Sequence, residues 1–258
     1  TKAEKLRSIG VNAHICPTLG VDTSRFAYAS LDKKKKGSIL FVGRLDVEKR
    51  IDVLLKACHL LRHSGVQFNL LIIGEGPLRK QISETVVRMD MTHFVEIKGY
   101  VPHVEIHQYF EKSTIFVLPS AREGVSVALV EAMSTGCICI VSDIADNREV
   151  IQHHHNGSTF HADDDQDLAN ELRWAILQPA ENLSSISVCA RHTAERHYSL
   201  EAVADSLSLV LSRLIGKEPQ VSEYGSERFQ RMRHFQSWTS PHTLESQYLF
   251  SADRTEDK

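Results

Sequence analysis

The chain has 258 residues and a net charge of −3, from 30 Lys and Arg against 33 Asp and Glu. That balance argues against a protein that binds nucleic acid or anionic lipid through bulk charge. The apolar share is 42%, and Gly and Pro number 13 and 7, which excludes a fibrous or largely disordered chain. No apolar run reaches the length of a transmembrane helix, and the length allows one large domain or one domain with extensions.

Five cysteines occur without a Cys-x-x-Cys pair, mostly in or beside apolar segments, so we expect buried, reduced thiols and a reducing compartment. Cys137 and Cys139 are predicted to share one face of a strand, and two further ligands at zinc-site spacing are not evident. The first residues lack the apolar core of a signal peptide. They also lack an initiator Met, which is consistent with a piece excised from a longer protein.

From Ser38 to Leu214, short apolar runs alternate with segments of helical periodicity. The runs that predict strands lie at 39–42, 68–73, 94–97, 115–118, 137–141 and 157–160. Helices are predicted at about 51–61, from Pro77, and at 104–110, 127–133, 166–177, 184–196 and 200–214. Strands that are apolar on both faces and alternate with helices indicate an α/β fold with a doubly wound parallel sheet.

Ligands in such sheets bind beyond the carboxyl ends of the strands, so the loops that follow the strands are the candidate site. These loops are residues 43–50, 74–77, 99–103, 119–126 and 142–148.

Several polar runs outside these loops have a plain structural explanation. The lysine run 33–36 is predicted to be a solvated loop, because a phosphate site would need a partner element. The triple Asp at 163–165 precedes a helix and is predicted to cap it, with a metal site as the less favoured alternative. The triple His at 153–155 is likewise predicted to be an exposed loop rather than a metal site.

The two ends differ in character from the alternating middle. A short strand is predicted near residues 13–16, and residues 217–258 are polar. Within that tail, Phe229, Met232, Phe235 and Trp238 recur at every third residue, which could form an aromatic helical stripe. We expect the tail to be poorly ordered or to pack outside the main core, where an apolar stripe would seek a protein partner.

The segment from Gly43 to Lys49 lies between a predicted strand and a predicted helix. A helix N-terminus attracts anions, and Arg44 and Lys49 add two positive charges at that end. Arginine can bind two phosphate oxygens at once, and lysine acts as a point charge. The alternative is that Arg44 pairs with an acid while Lys49 is solvated, and the spacing alone does not decide between the two.

Glu123 and Glu131 follow the fourth strand, the first in the turn and the second about two turns into the next helix. Both could face one crevice, where a carboxylate accepts hydrogen bonds from sugar hydroxyls and the amides of residues 124–126 meet a phosphate. The alternative is a helix N-terminal acid with a solvated acid in mid-helix. The apolar neighbours of Glu131 argue against that alternative, because an unpaired carboxylate among them would be costly.

These motifs resemble the C-terminal, donor-binding domain of GT-B glycosyltransferases, specifically the retaining family 4, or "glycosyl transferases group 1". The most specific match is the run from Glu123 to Met133, which fits the family's E-x7-E signature. Supporting matches are Phe41-Val42-Gly43-Arg44-Leu45 with Lys49, Gly74-Glu75-Gly76-Pro77-Leu78, Gly99-Tyr100-Val101, and the hinge-like Pro17-Thr18-Leu19-Gly20-Val21-Asp22. The resemblance covers roughly Pro17 to Leu214.

The resemblance implies a role for each matching residue. Arg44 and Lys49 would hold the diphosphate of a nucleotide-sugar donor and, together with Glu123 at the transferred sugar, form the catalytic set. Glu131 would bind the ribose hydroxyls. The other donor-binding positions implied are Gly43, Gly99, Val101, Gly124, Val125 and Ser126. No metal and no other cofactor is expected, because the two cations take the place of a metal.

The resemblance also implies how the chain is divided. Residues 1–30 would be the remnant of an acceptor-binding domain and the interdomain hinge, 31–216 the donor-binding domain, and 217–258 a C-terminal tail. We expect a hexosyl-type transferase that is incomplete and inactive without its N-terminal acceptor domain. The expected location is cytoplasmic, with contact to a membrane surface only through that missing domain.

Two other functions remain open on the sequence. The first is a non-catalytic module that binds a nucleotide-sugar, although the four charged residues have no reason to persist in such a module. The second is a GT-B relative such as a sugar-nucleotide epimerase. The chain also departs from the family at Arg50, where glycine is frequent, and at Ala145-Asp146, where two glycines are common.

Overall fold

The computed structural model describes residues 8–9 and 19–215. The strands are β1 (Lys35–Val42), β2 (Asn69–Ile73), β3 (Val95–Gly99), β4 (Ser113–Leu118), β5 (Ile138–Ser142) and β6 (Ser158–Phe160). The α-helices are α1 (Ile51–His63), α2 (Arg79–Arg88), α3 (His103–Lys112), α4 (Val127–Ser134), α5 (Ala145–Arg148), α6 (Asp165–Leu177), α7 (Ala180–Tyr198) and α8 (Leu200–Ile215). Short 3-10 helices precede β1 and α1, at Leu31–Lys33 and Val47–Lys49.

The six strands form one sheet in the order β3-β2-β1-β4-β5-β6, and every neighbouring pair is parallel. Ile39 lies opposite Leu70 of β2 on one side and opposite Ile115 of β4 on the other. The strand order therefore reverses at β1, which is the position where a doubly wound sheet opens its ligand crevice. The predicted α/β fold and its sheet are confirmed.

Both faces of the sheet are buried, as the unbroken apolar runs predict. Phe41 and Ile140 point to the face covered by α1 and α6, while Leu40 and Phe116 point to the face covered by α4 and α7. Successive residues of one strand thus lie in two different cores, because side chains alternate across a strand. Such a strand cannot be polar at alternate positions.

The prediction of a solvated lysine run is wrong for one of its members. Lys34 is buried, and its ammonium donates hydrogen bonds to the carbonyl oxygens of Phe110 at 2.8 Å and Glu111 at 3.4 Å. These carbonyls lie in the last turn of α3, where the helix dipole favours a cation. Lys35 and Lys36 are exposed but belong to β1 rather than to a loop.

Two helix starts also differ from the prediction. Pro77 lies two residues before α2, which begins at Arg79. The long helix α7 begins at Ala180, directly after Pro179, and not at residue 184. Proline fixes a backbone that suits the entrance to a helix, so Pro179 marks the start that periodicity alone placed too late.

The cysteines agree with the expectation of buried thiols as far as the structure describes them. Cys58, Cys137 and Cys139 are buried and free, while Cys189 is partly buried. Cys137 and Cys139 belong to the same core, on the α4 and α7 side of the sheet, as predicted. Burial raises the pKa of the Cys58 thiol well above its usual range.

The segment before β1 packs on the domain. Val21 donates its backbone N–H to the carbonyl oxygen of Tyr198 at 2.7 Å, and Leu200 donates to the carbonyl of Val21 at 3.2 Å. Phe26 is fully buried beside Phe110. The strand predicted near residues 13–16 and the predicted tail at 217–258 lie outside the described residues. Among the helices that the structure describes, none is long and apolar enough to cross a membrane.

Candidate functional site

The loops after β1, β2 and β3 are joined to one another by backbone hydrogen bonds. Gly43 donates to the carbonyl of Ile73 at 3.1 Å, and Gly74 donates to the carbonyl of Gly99 at 2.9 Å. Gly74 has a φ of +146°, and a Cβ added there would lie 1.8 Å from the carbonyl oxygen of Gly43. Glycine is therefore required for the first two loops to meet.

Asp46 organises the short helix that carries Lys49. Its carboxylate accepts the backbone N–H groups of Glu48 at 3.1 Å and Lys49 at 3.2 Å, as an N-cap residue does. Arg44 extends from the same loop with 71% of its side chain exposed, and its Nε lies 3.5 Å from Asp46 Oδ2. An exposed ion pair at this distance contributes little free energy, so Arg44 can leave Asp46 and bind an anionic ligand at little cost.

Lys49 is not solvated, contrary to the alternative considered for it. Its ammonium is paired with Glu123 Oε1, and the two side chains are 19% and 10% exposed. Ser120 Oγ donates to the same carboxylate oxygen at 2.7 Å. The loops after β1 and β4 thus bring together a predicted phosphate-binding cation and a predicted sugar-binding acid that are far apart in sequence.

A buried set of polar groups fixes the loop that carries Glu123. Asn147 Nδ2 donates to the carbonyl of Ser142 at 2.8 Å, and Ser142 Oγ donates to the carbonyl of Ser120 at 2.5 Å. All three residues are buried. These three residues are not predictable from the sequence, because serine and asparagine near strand ends have no distinctive spacing. We call Ser120, Ser142 and Asn147 the serine–asparagine network.

The segment from Gly124 to Ser126 leads into α4 and presents open backbone. No described atom lies within 4 Å of the position that a Cβ on Gly124 would take. Ser126 occupies the N-cap position of α4, and among the described residues no side chain caps this helix. The first amides of α4 therefore lie at the carboxyl edge of the sheet without a capping hydrogen bond from the Ser126 side chain.

Glu131 is buried in α4, with 3% of its surface exposed. His103 Nε2 lies 2.6 Å from its Oε1, and the Arg25 charge also acts on it. Burial raises the pKa of Glu131, and the hydrogen bond from His103 opposes that rise. The predicted pairing requirement for Glu131 is thus met by His103, a partner that the sequence analysis did not name.

The first residue of the segment from Gly99 to Val101 is in close contact with neighbouring side chains, so no space is left there for a ligand. Gly99 has a φ of +82°, and a Cβ there would lie 2.8 Å from Glu75 Oε1. Val101 is buried, whereas Tyr100 is 75% exposed at the rim of the same edge. Of this loop, the exposed Tyr100 is the part that a ligand can reach first.

The structure explains how the chain accommodates Arg50 at a position where glycine is frequent in the family. Its φ of +46° is a left-handed conformation, in which glycine costs less than other residues. The Arg50 guanidinium pairs with Asp163 and with Asp52, the latter at 3.2 Å. These ion pairs hold a non-glycine residue in a conformation that would otherwise favour glycine.

The remaining polar runs lie where the sequence predicts. Asp164 caps α6 by accepting the N–H of Asp167 at 2.9 Å, which confirms the capping role for that residue of the triple Asp. His153 and His154 are exposed, as predicted, and with Glu171 they form the group in the described chain whose atoms could hold a metal ion. His153 Nδ1 already accepts the backbone N–H of Thr159 at 3.1 Å.

The parallel sheet, its reversal at β1 and the charged crevice at its carboxyl edge make this a Rossmann-like domain, with the fold of the corresponding domains of GT-B enzymes. Solved structures share this fold. TarM from S. aureus, in complex with UDP, matches with a TM-score of 0.69 at 20% identity, over 80% of this chain and 42% of that one. Anabaena HepE, in complex with UDP and glucose, matches with a TM-score of 0.70 at 18% identity, over 82% of this chain and 60% of that one.

Residues 23–192 match the family model described as "Glycosyl transferases group 1", and the chain belongs to that family. The amylovoran biosynthesis glycosyltransferase AmsK of Erwinia amylovora is 31% identical over 68% of this chain and 44% of its own length. The putative colanic acid biosynthesis glycosyltransferase WcaL of Salmonella typhimurium is 28% identical over 82% of this chain and 54% of its own. The chain spans about half the length of these curated relatives.

Proposed function

We propose that this chain binds the nucleoside-diphosphate sugar donor of a retaining, family 4 glycosyltransferase that transfers a hexosyl-type group to an acceptor. The observation that carries the proposal is the meeting of Lys49, Glu123 and the open amides after Gly124 at one edge of the sheet. Cations placed beside helix N-termini suit a diphosphate, and a carboxylate suits sugar hydroxyls.

In the proposed reaction, the bond between the anomeric carbon and the phosphate oxygen breaks, and a bond to an acceptor oxygen forms. The nucleoside diphosphate leaves with the electrons of the broken bond, and its leaving phosphate oxygen takes the proton that the acceptor hydroxyl gives up. Arg44 and Lys49 stabilise the charge that develops on the leaving diphosphate. Glu123 holds the transferred sugar, and Glu131 holds the ribose. This division requires no metal ion, since the two cations neutralise the diphosphate.

The similar proteins favour nucleotide-sugar binding over a purely structural role for these residues. TarM and HepE were solved with UDP, and HepE also with glucose. One relative is named as an amylovoran biosynthesis glycosyltransferase and another as a putative colanic acid biosynthesis glycosyltransferase, so we propose polysaccharide or glycoconjugate biosynthesis as the setting. A second, acceptor-binding domain is part of the proposal, because the catalytic cleft of a GT-B enzyme lies between two domains and the residues described above form the donor half.

Calorimetry with UDP, GDP and ADP in the presence of EDTA tests the proposal. At least one of the three should bind. Arg44→Ala should weaken that binding by about 1.5–3 kcal/mol, the scale of a hydrogen bond to a charged group. Arg88→Ala is the matched control, because Arg88 lies in the last turn of α2, at the opposite edge of the sheet. The absence of binding at millimolar ligand would overturn the donor site.

A further inference from the structure

His103 is the direct partner of the buried carboxylate of Glu131. Its Nε2 lies 2.6 Å from Glu131 Oε1, while 63% of the His103 side chain is exposed at the rim of the crevice. Glu131 itself is 3% exposed, so the contact joins a buried acid to a group that solvent and ligands can reach.

The neighbours of this pair limit what else can act on Glu131. Arg25 donates to the carbonyl of His103 at 3.3 Å and adds positive charge near the acid. Arg191 of α7 faces the backbone carbonyls of Thr23, Phe26 and Ser134 instead, at 2.8–3.1 Å. Phe26 packs beside the His103 ring, with ring centroids 5.9 Å apart. Within the described chain, His103 is therefore the side chain that hydrogen-bonds the Glu131 carboxylate.

We propose that His103 is a positioning residue for nucleoside recognition, which holds one carboxylate oxygen of Glu131 and leaves the second to accept the ribose hydroxyls. The inference rests on the proposed function, because the ribose is part of the proposed donor. One oxygen of the carboxylate is occupied by His103, so the other remains for a ligand.

Charge on Glu131 decides how well that oxygen can accept a hydrogen bond. An ionised carboxylate accepts from both oxygens, while a protonated one gives up part of this capacity. Burial favours the protonated form and raises the pKa of Glu131, and the His103 hydrogen bond and charge oppose that effect. Without His103, Glu131 would protonate at a higher pH and would also lose its fixed orientation.

The test compares a nucleoside diphosphate with its 2′-deoxy counterpart, using whichever of UDP, GDP and ADP binds. The wild-type chain should prefer the ribose form by about tenfold at neutral pH, the ratio for one hydrogen bond to a charged acceptor. His103→Ala should reduce that preference to about threefold or less. His103→Gln, which places an N–H near the position of Nε2, should restore most of it. His93→Ala, an exposed histidine before β3, is the control and should change nothing.

The pH profile separates positioning from a merely structural role. Ribose preference depends on ionised Glu131, so it is present above the pKa of Glu131 and is lost as the pH falls through it. His103→Ala should move this loss to higher pH. Carbon-13 NMR of the glutamate carboxyls, with Glu131→Gln to assign the signal, should show the same shift in the titration of Glu131 without any ligand.

The outcomes distinguish this inference from the function on which it rests. If the wild-type chain binds none of the three diphosphates, the proposed function fails and takes the ribose role of His103 with it. If a diphosphate binds but His103→Ala keeps the full ribose preference, the positioning role alone is wrong. An unchanged titration of Glu131 in His103→Ala would also overturn it, whatever the ligand data show.

Discussion

The two halves of the crevice are built by different means. The loops after β1, β2 and β3 are shaped by glycine and by backbone hydrogen bonds from one loop to the next. The loops after β4 and β5 are shaped by side chains, through the serine–asparagine network and the pairing of Glu123 with Lys49 of the loop after β1. The first half should therefore be sensitive to added atoms, and the second half to lost hydrogen bonds.

The largest effect is expected from an added methyl group in the backbone-built half. Gly74→Ala would place a Cβ 1.8 Å from the carbonyl oxygen of Gly43, in a backbone conformation that disfavours alanine. We expect it to lower the free energy of unfolding by about 3 kcal/mol or more. Chemical denaturation monitored by circular dichroism measures this change.

Gly65→Ala is the matched control for that substitution. Gly65 also has a positive φ, of +80°, but no described atom lies within 4 Å of an added Cβ. Gly65→Ala should lower the free energy of unfolding only by the cost of placing alanine in a left-handed backbone conformation, roughly 1–2 kcal/mol. Equal losses for the two variants would show that the contact between the first two loops does not matter.

A middle-sized effect is expected from a lost hydrogen bond in the side-chain-built half. Asn147→Ala removes the bonds from Nδ2 to the carbonyl and hydroxyl oxygens of Ser142, at 2.8 Å and 3.2 Å. The free energy of unfolding should fall by about 1–3 kcal/mol, because these groups are buried. Asn170→Ala, the same change at an exposed position of α6, should stay within about 0.5 kcal/mol. Similar values for both would contradict the account of the network.

The smallest change in stability is expected for Ser120→Ala. The hydroxyl donates one bond, to Glu123 Oε1 at 2.7 Å, so about 1 kcal/mol of unfolding free energy should be lost. The effect on ligand binding should be more visible, because Glu123 keeps its Lys49 partner but loses a second group that orients it. Affinity for a nucleotide-sugar, measured by calorimetry, should fall while affinity for the diphosphate alone is kept. A loss of diphosphate affinity would mean that Ser120 acts elsewhere.

The difference between the halves also explains what the sequence can predict. Gly43, Gly74 and Gly99 stand directly after or at the ends of apolar runs, so the strands and the loops that follow them are legible in the sequence. Because parallel strands end at one edge, the sequence also places the loops that carry Lys49 and Glu123 in one candidate site, although it does not predict that the two side chains pair. The expectation that Glu131 needs a partner among its apolar neighbours holds as well, since it is buried and hydrogen-bonded to His103.

Pairs of side chains that are distant in sequence and meet only after folding cannot be predicted from local sequence patterns. His103 is 28 residues from Glu131, and no periodicity connects the two. Lys34 looks like one of a solvated lysine run, yet its ammonium reaches carbonyls of α3 that are 76 and 77 residues away. A local pattern shows that a charged residue needs a partner, and the packing of distant elements decides which one it finds.

In the proposed function, two carboxylates bind different parts of the donor: Glu131 binds the nucleoside and Glu123 binds the transferred sugar. Calorimetry of Glu131→Gln and Glu123→Gln, with a nucleoside diphosphate and with its glucose conjugate, tests that division most directly. Glu131→Gln should weaken both ligands alike. Glu123→Gln should weaken the conjugate and leave the diphosphate as tight or tighter, because Lys49 is then free for phosphate. An equal loss for both ligands on changing Glu123 would contradict the assignment.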